Sequence, residues 1–119
     1  MKREKEIGKV SSVFLGPDQD RGFFTFNIGI DFKGSFQHFG NYALDSYDEE
    51  AKKRMGTAEG MNAIRGLYDF FGVHDLNDAI GKYVEVDREG DSWGIIVRIS
   101  RLSVDGGAVY DIKNYFPNV

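Results

Sequence analysis

The sequence predicts a single α+β domain over residues 1–119, in which an antiparallel, curled β-sheet of five or six strands carries one main helix across it. The first observation is composition: 41% of the 119 residues are hydrophobic and 29% are charged, as in ordinary globular domains. The second is the ten Phe, six Tyr and one Trp, which favour pleated, half-buried surfaces. The third is periodicity, because several runs with a period of two surround one long segment with helical spacing.

The first two strands are predicted from their apolar runs and the turns that bound them. Lys5 to Leu15 forms the first strand, and Gly16-Pro17-Asp18 ends it as a turn. The second strand runs from Phe23 to Phe32, where strict alternation predicts one buried and one wet face. Its predicted buried positions are Phe24, Phe26, Ile28, Ile30 and Phe32.

The segment from Gly34 to Asp45 is the most unusual part of the sequence. It follows a short Lys33-Gly34 connection, which predicts a hairpin, and it places Phe, Tyr, His, Gln and Asn between glycines. Glycine inside a strand often marks a position where a ligand or another backbone comes close. Both faces of the predicted strand carry an aromatic residue, so it is either a central strand covered on both sides or a recognition surface.

A charged connector and the main helix follow. In Ser46–Gly56 each acidic residue precedes a basic residue by four positions, which predicts a short exposed helical turn. Thr57 is the predicted N-cap of a helix that runs to Phe71, with Gly72 after its end. Its predicted inward stripe, which should pack on the first hairpin, is Met61, Ile64, Leu67, Tyr68 and Phe71. Gly60 and Gly66 weaken this helix and therefore suggest that neighbouring backbone approaches it closely.

The remaining chain predicts a second hairpin and a final strand. Asp75 begins a short helical turn with Leu76 and Ile80 directed inward and Gly81 at its end. The further predicted elements are a strand at Tyr83–Arg88 with Val84 and Val86 inward, a turn at Glu89–Ser92, a strand with Trp93, Ile95, Val97 and Ile99 on one face, a turn at Asp105–Gly107, and a strand at Ala108–Tyr115.

Composition and motif searches exclude several functional classes. The chain has no cysteine, no phosphate-binding or dinucleotide fingerprint and no nucleophile elbow. His38 and His74 are far apart in sequence, and Asp87, Glu89 and Asp91 lack the rest of a calcium loop, so we expect no metal, no cofactor and no enzymatic activity.

Charge and hydropathy bear on partners and localisation. The net charge is −4 and basic residues are scattered, so direct nucleic-acid binding is not expected. The N-terminus has no apolar leader and no segment has the apolar length of a membrane span, which favours a cytoplasmic protein without membrane contact.

The candidate binding residues are aromatic, amide, histidine and arginine side chains. Aromatic and arginine residues commonly anchor protein interfaces, and the same groups stack on and hydrogen-bond nucleobases. The candidates are Arg21, Phe36, Gln37, His38, Phe39, Asn41, Tyr42 and Arg65. The alternative is that these residues only pack the core or a seam between copies of the chain.

The run Phe36–Asp45 resembles a segment of small uncharacterised phage and prophage proteins, which carry a Gln-Gly-Phe-Gly-Gly-Tyr-like sequence after an aromatic strand. His38 and Asn41 stand where that pattern has glycine. Further counterparts of the pattern are Gly60-Met61, Gly72-Val73, Ile80-Gly81-Lys82 and Val84-Glu85-Val86.

The resemblance implies a phage-encoded protein that works in the cytoplasm of the host cell. Small acidic phage proteins of this kind often act by binding, so the expected function is anti-defence, anti-CRISPR-like inhibition of a host protein by occupying it. One alternative is an oligomeric binder that sequesters a nucleotide-type immune signal. Another is a virion or assembly accessory protein. Whether the chain forms a homo-oligomer is left open.

Overall fold

A computed structural model of the chain describes residues 3–89, 94–102 and 107–117. Within these residues the fold is a single α+β unit, as the sequence predicts. The elements are β1 (Arg3–Pro17), β2 (Phe24–Phe32), β3 (Ser35–Gly40), β4 (Asp45–Asp48), β5 (Lys53–Gly56), α1 (Ala58–Phe71), β6 (Tyr83–Glu89), β7 (Ile95–Arg101) and β8 (Val109–Asp111), with 3₁₀ turns at Leu76–Ala79 and Ile112–Asn114. The described strands form one antiparallel sheet in the order β3-β2-β1-β6-β7-β8 and a separate β4-β5 hairpin.

The long strand β1 curls the main sheet. Its first part pairs with β6 and its second part pairs with β2, and Lys9 is the residue that belongs to both ladders. The register with β2 shifts between Val10 and Ser12, and such a bulge bends a strand. β1 therefore extends beyond the predicted Lys5–Leu15 at both ends and joins the two halves of the sheet.

The core lies between the concave face of the sheet and α1. Phe26, Phe39 and Tyr110 meet there with ring centroids 5.8–6.2 Å apart, in tilted and edge-on arrangements that aromatic rings favour. The Tyr110 hydroxyl donates a 2.7 Å hydrogen bond to the carbonyl oxygen of Ala63. This bond satisfies a buried polar group and ties β8 to the helix.

Both predicted ends of α1 are confirmed. The Thr57 hydroxyl oxygen accepts a 2.9 Å bond from the Gly60 N–H, and Gly72 adopts φ 67° while its N–H donates to the Tyr68 carbonyl. The predicted inward stripe is partly wrong because Met61 is exposed, whereas Gly60, Ala63 and Phe70 are buried beside Leu67 and Phe71. The helix turns these small residues toward the sheet side, which brings its backbone closer.

The predicted helical turn at Ser46–Gly56 is wrong, because this segment forms the β4–β5 hairpin. The Asp48 carboxylate accepts hydrogen bonds from the N–H groups of Glu50 and Ala51, and Lys52 takes a positive φ of 54° in the turn. The Arg54 guanidinium bonds to Asp45 on the opposite strand. Turn chemistry and cross-strand pairing thus outweigh the weak i,i+4 pairs of an exposed helix.

The third strand is shorter than predicted and lies at the edge of the sheet. β3 ends at Gly40, so the remainder of the predicted Gly34–Asp45 strand is a loop, and the central-strand alternative is wrong. Gly40 has φ 128° and a Cβ there would meet the Phe26 carbonyl oxygen, while Asn41 has φ 70°. These two conformations turn the chain out of the strand.

Two inward assignments and one strand boundary in the C-terminal half also change. Ile80 is exposed because the 3₁₀ turn ends at Ala79, which is buried in its place. Ile95 is 70% exposed, since the register between β6 and β7 shifts at Val97 and moves Ile96 inward. The predicted strand at Ala108–Tyr115 ends at Asp111, whose carboxylate accepts from the Lys113 N–H and starts a 3₁₀ turn. Trp93 and most residues of the two predicted turns at Glu89–Ser92 and Asp105–Gly107 lie outside the described residues.

Replacing Gly60 by alanine should destabilise the protein by about 2 kcal/mol, even though alanine favours helix. The new Cβ would collide with the backbone carbonyl of Leu44, which cannot move as a side chain could. Urea unfolding of Gly60→Ala measures the loss. Gly56→Ala is the matched control, because no atom lies within 4 Å of its Cβ position. Equal stabilities of the two variants would contradict the close approach.

Alkaline pH should destabilise the protein through Tyr110. Burial, with a smaller contribution from Tyr115, raises the pKa of Tyr110 above its ordinary value near 10. The unfolded chain therefore loses the Tyr110 hydroxyl proton at a lower pH than the folded chain does. The contribution of the protonated Tyr110 to the free energy of unfolding is complete below pH 10 and declines as the pH rises from there. Unfolding titrations between pH 8 and 11 should show a downward slope of up to about 1.4 kcal/mol per pH unit from this group. Tyr110→Phe should reduce the slope while lowering the free energy of unfolding at neutral pH, and an unchanged slope would contradict the assignment.

Candidate functional site

A cleft of about 510 Å³ lies between the end of β3 and the beginning of β7. Small-molecule and peptide-sized ligand sites commonly have roughly 300–1,000 Å³. The described residues that line it come from β3, the loop after β3, β6 and β7. They are Gln37, His38, Gly40, Asn41, Tyr42, Glu89, Ile95, Ile96 and Val97.

Gln37 closes one end of the cleft. Its Oε1 accepts a 2.7 Å hydrogen bond from Nε of Arg88, and its Nε2 donates a 2.9 Å bond to the Gly94 carbonyl oxygen. Since the two ends of the amide are already bonded within the protein, this residue fixes the position of β3 relative to β6 and β7. Its contribution to the cleft is therefore structural.

Arg88, which bonds to Gln37 beside the cleft, is a residue that the sequence analysis did not nominate. Its guanidinium is only 1% exposed, lies 3.2 Å from the Glu6 carboxylate and sits 4.8 Å from the centroid of the Phe32 ring. Next to it, Asp87 is also buried and forms an ion pair with Arg98. By alternation Arg88 falls on the same face as Val84 and Val86, whereas Asp87 falls with Glu85 on the face predicted to be wet, and the structure buries both.

The loop after β3 is held on β2 by backbone and side-chain bonds. The N–H of Asn41 donates to the Phe26 carbonyl at 2.8 Å, and the Tyr42 carbonyl accepts a 2.7 Å bond from the Thr25 hydroxyl. Asn41 and Tyr42 are therefore presented at the cleft by a fixed backbone, with Asn41 exposed and Tyr42 half-buried.

The carboxylate in the described lining of the cleft belongs to Glu89. Burial, and then the nearby charge of Glu89, raise the pKa of Tyr42, so its hydroxyl stays protonated and can donate a hydrogen bond. Glu89 also pairs with Lys113, whose Nζ lies 2.8 Å from its carboxylate. Among the described lining residues there is no Lys or Arg side chain.

The structure separates the candidate residues into two groups. Gln37, His38, Asn41 and Tyr42 come together at the cleft. The other four do not line it.

Phe39 is 1% exposed and packs in the core, as the packing alternative predicts. Phe36 is exposed on the outer face of the sheet, with its ring 4.9 Å from that of His38. Arg21 is exposed in the turn after β1, and Arg65 is exposed on α1 near His74. The two arginines therefore lie outside the candidate site.

Besides Gly40, the cleft residues that the sequence analysis did not nominate are Glu89, Ile95, Ile96 and Val97. They belong to a hairpin distant in sequence, and their place opposite β3 depends on the curl of the sheet. The local signal for them in the sequence is the run of charged and apolar residues around the predicted turn at Glu89–Ser92.

The described residues form neither a metal-binding cluster nor a membrane-spanning helix. In the described parts of the chain no three His, Asp or Glu side chains are grouped so that they could hold a metal ion. No described helix has the length and apolar character to cross a membrane.

Comparison with known proteins identifies no relative. No protein-family model matches the sequence, and neither a curated protein nor a solved structure is significantly similar to it.

Replacing Gln37 by leucine should lower the free energy of unfolding by about 1–3 kcal/mol, because the change removes the acceptor that bonds Nε of the buried Arg88. Gln37→Glu keeps an acceptor for Arg88 but turns a second oxygen toward the Gly94 carbonyl in place of the donor. It should still be destabilised less than Gln37→Leu, which removes the acceptor of the Arg88 bond. Urea unfolding measures both. Wild-type stability of Gln37→Leu would show that this contact does not hold β3 in place.

Proposed function

We propose that this chain is a non-catalytic binding protein, and that its cleft receives a segment of a partner protein. The proposed partner is a component of bacterial host defence, which a phage-encoded protein of this kind would occupy and thereby inhibit. The observation that carries the proposal is the composition of the cleft, which joins uncharged hydrogen-bonding side chains to an exposed apolar wall.

The apolar wall favours a protein partner. Ile95 is 70% exposed at the mouth of the cleft, beside the aromatic ring of Tyr42 and the amide of Asn41. Protein interfaces typically combine a central apolar or aromatic anchor with polar groups around it. A partner side chain packed on Ile95 would remove this apolar surface from water, while His38, Asn41 and Tyr42 supply the polar contacts.

The charge of the cleft distinguishes a protein segment from a nucleotide-type signal. Phosphate groups are bound by Lys, Arg or backbone N–H groups at helix ends, and the described lining contains neither a basic side chain nor an end of α1. The Glu89 carboxylate is paired with Lys113 and offers no site for an anion. The volume alone would admit a small ligand, but the lack of a basic side chain in the described lining favours an uncharged segment of polypeptide.

The test is phage plating on bacteria that each carry one cloned defence system, with and without expression of this protein. We expect wild type to restore plating in at least one strain, and Ile95→Lys to reduce that restoration by about tenfold or more, because a lysine replaces the apolar wall. The matched control is Val109→Lys, since Val109 is an equally apolar strand residue, 55% exposed, that does not line the cleft. Both variants should unfold at the wild-type temperature.

Two results would contradict the proposal. Equal restoration of plating by Ile95→Lys and wild type would show that the cleft takes no part in the function. A rise in melting temperature with a panel of cyclic and linear nucleotides would instead favour the sequestering alternative, because a ligand that binds only the native state stabilises it.

A further inference from the structure

We propose that a second pocket, beside the C-terminal end of α1, binds the phosphate group of a small organic phosphate ester. This pocket is separate from the cleft between β3 and β7, and the proposal is independent of the proposed function. Three observations carry it: two cationic side chains at the pocket, the lack of a described counter-ion for either of them, and apolar residues beside them.

The pocket has a volume of about 280 Å³ and lies between the end of α1, the beginning of β6 and the end of β7. Because ligand sites commonly have roughly 300–1,000 Å³, a pocket of this size suits a small molecule. The described residues that line it are Phe71, Gly81, Lys82, Tyr83, Val84, Arg101 and Leu102. None of them lines the cleft.

Strand pairing brings the two cationic side chains to the same region. Arg101 lies opposite Val84 in the β6–β7 ladder, so its side chain shares the inner face of the sheet with the buried Val84. Lys82 continues the line of β6, because its carbonyl oxygen accepts a 2.8 Å hydrogen bond from the N–H of Val10 on β1. Lys82 is two positions before Val84 and is thus a diagonal neighbour of Arg101. Such neighbours lie about 7–8 Å apart, within reach of long side chains.

Both cations are half-buried and lack a counter-ion within the described chain. Neither Lys82 nor Arg101 takes part in an ion pair there, and the described lining of the pocket contains no Asp or Glu. Partial burial removes some of the water that solvates a charge. An anion that takes the place of the remaining water would therefore gain charge-assisted hydrogen bonds from both side chains.

The end of α1 gives Arg101 an alternative role. The last turn of α1 has no basic residue, and Nη1 of Arg101 would lie 3.9 Å from a Cβ at Gly72. A cation in this position offsets the partial negative charge of the helix end, which is about half an elementary charge. Since Lys82 and Arg101 together carry two positive charges, the pocket keeps a net positive charge after this compensation.

The charge and the apolar lining of the pocket select the class of ligand. A phosphate monoester carries a charge of about −1.5 to −2 at neutral pH, which matches two cations better than the single charge of a carboxylate does. Arg and Lys are common partners of phosphate oxygens. Phe71, Val84 and Leu102 supply the apolar part of the lining, against which the organic part of the ester would pack.

The experiment is a titration of the nitrogen-15-labelled chain with phenyl phosphate at neutral pH and constant ionic strength, followed by two-dimensional NMR. We expect saturable shifts of the amide signals of Gly72, Gly81 and Tyr83. Inorganic phosphate lacks an apolar part and benzoate carries a single charge, so each should bind about fivefold more weakly or worse. Benzoate that binds as tightly as phenyl phosphate would overturn the assignment to a phosphate ester. Equal binding of inorganic phosphate would overturn the role of the apolar lining.

A variant of Lys82 locates the binding site. Lys82→Gln should weaken phenyl phosphate about tenfold. Its melting temperature should stay close to wild type, because this side chain has no described partner to lose. Lys53→Gln is the matched control, since Lys53 is exposed on β5 and lies outside the pocket, and it should bind within about twofold of wild type. Equal affinities of the two variants would overturn the proposal, and so would shifts spread over the whole surface, which indicate an adventitious ion only.

Variants of Arg101 separate its two roles. If the guanidinium contacts the ester, Arg101→Gln weakens phenyl phosphate about tenfold, and Arg101→Lys recovers part of the affinity because it keeps the charge. If Arg101→Gln lowers the melting temperature but binds phenyl phosphate as wild type does, the side chain serves the end of α1 alone and the proposal is wrong.

The outcomes for this pocket and for the cleft are distinguishable. Ile95→Lys should bind phenyl phosphate as wild type does, because Ile95 does not line the pocket. The same variants assign any nucleotide that raises the melting temperature. A rise that is lost in Lys82→Gln and kept in Ile95→Lys belongs to this pocket and supports the present proposal. A rise that is lost in Ile95→Lys and kept in Lys82→Gln places a phosphate ester in the cleft and contradicts both proposals.

Discussion

The buried guanidinium of Arg88 is the interaction on which the shape of the sheet depends. A charged group that is 1% exposed would cost several kcal/mol without partners. Its partners come from three different strands: Glu6 on β1, Gln37 on β3 and the ring of Phe32 on β2. These contacts draw β3 toward β6 and β7 without a ladder of backbone bonds. The sheet therefore curls so that β3 and β7 form the two sides of the cleft.

This arrangement explains why the fold could be predicted from the sequence more completely than the site. The alternation from Phe24 to Phe32 and the caps Thr57 and Gly72 are local signals, and each gave the right element. The i,i+4 charges of Ser46–Gly56 failed because exposed ion pairs are weak and the turn chemistry of Asp48 competes with them. The bulge at Val97, which exposes Ile95, depends on pairing between strands and has no signature in the sequence.

The glycines of the aromatic segment show a similar division between local and tertiary causes. Gly34 turns the first hairpin with φ 84°, and Gly40 allows the chain to pass the Phe26 carbonyl. Gly29, on the neighbouring strand, makes room for the ring of Phe36, whose nearest atom would lie 2.8 Å from a Cβ there. These glycines accommodate the protein's own backbone and rings. The room for a partner arises instead at the cleft, beyond the point where Gly40 and Asn41 end β3.

The end of β3 links the fold to the proposed function. A closed barrel would satisfy the outward N–H and C=O groups of His38 and Gly40. In this chain the bond from Gln37 to Gly94 closes one end of the gap, and the exposed Ile95 stands beside the other. The cleft on which the proposed function depends is therefore a consequence of a sheet that curls without closing.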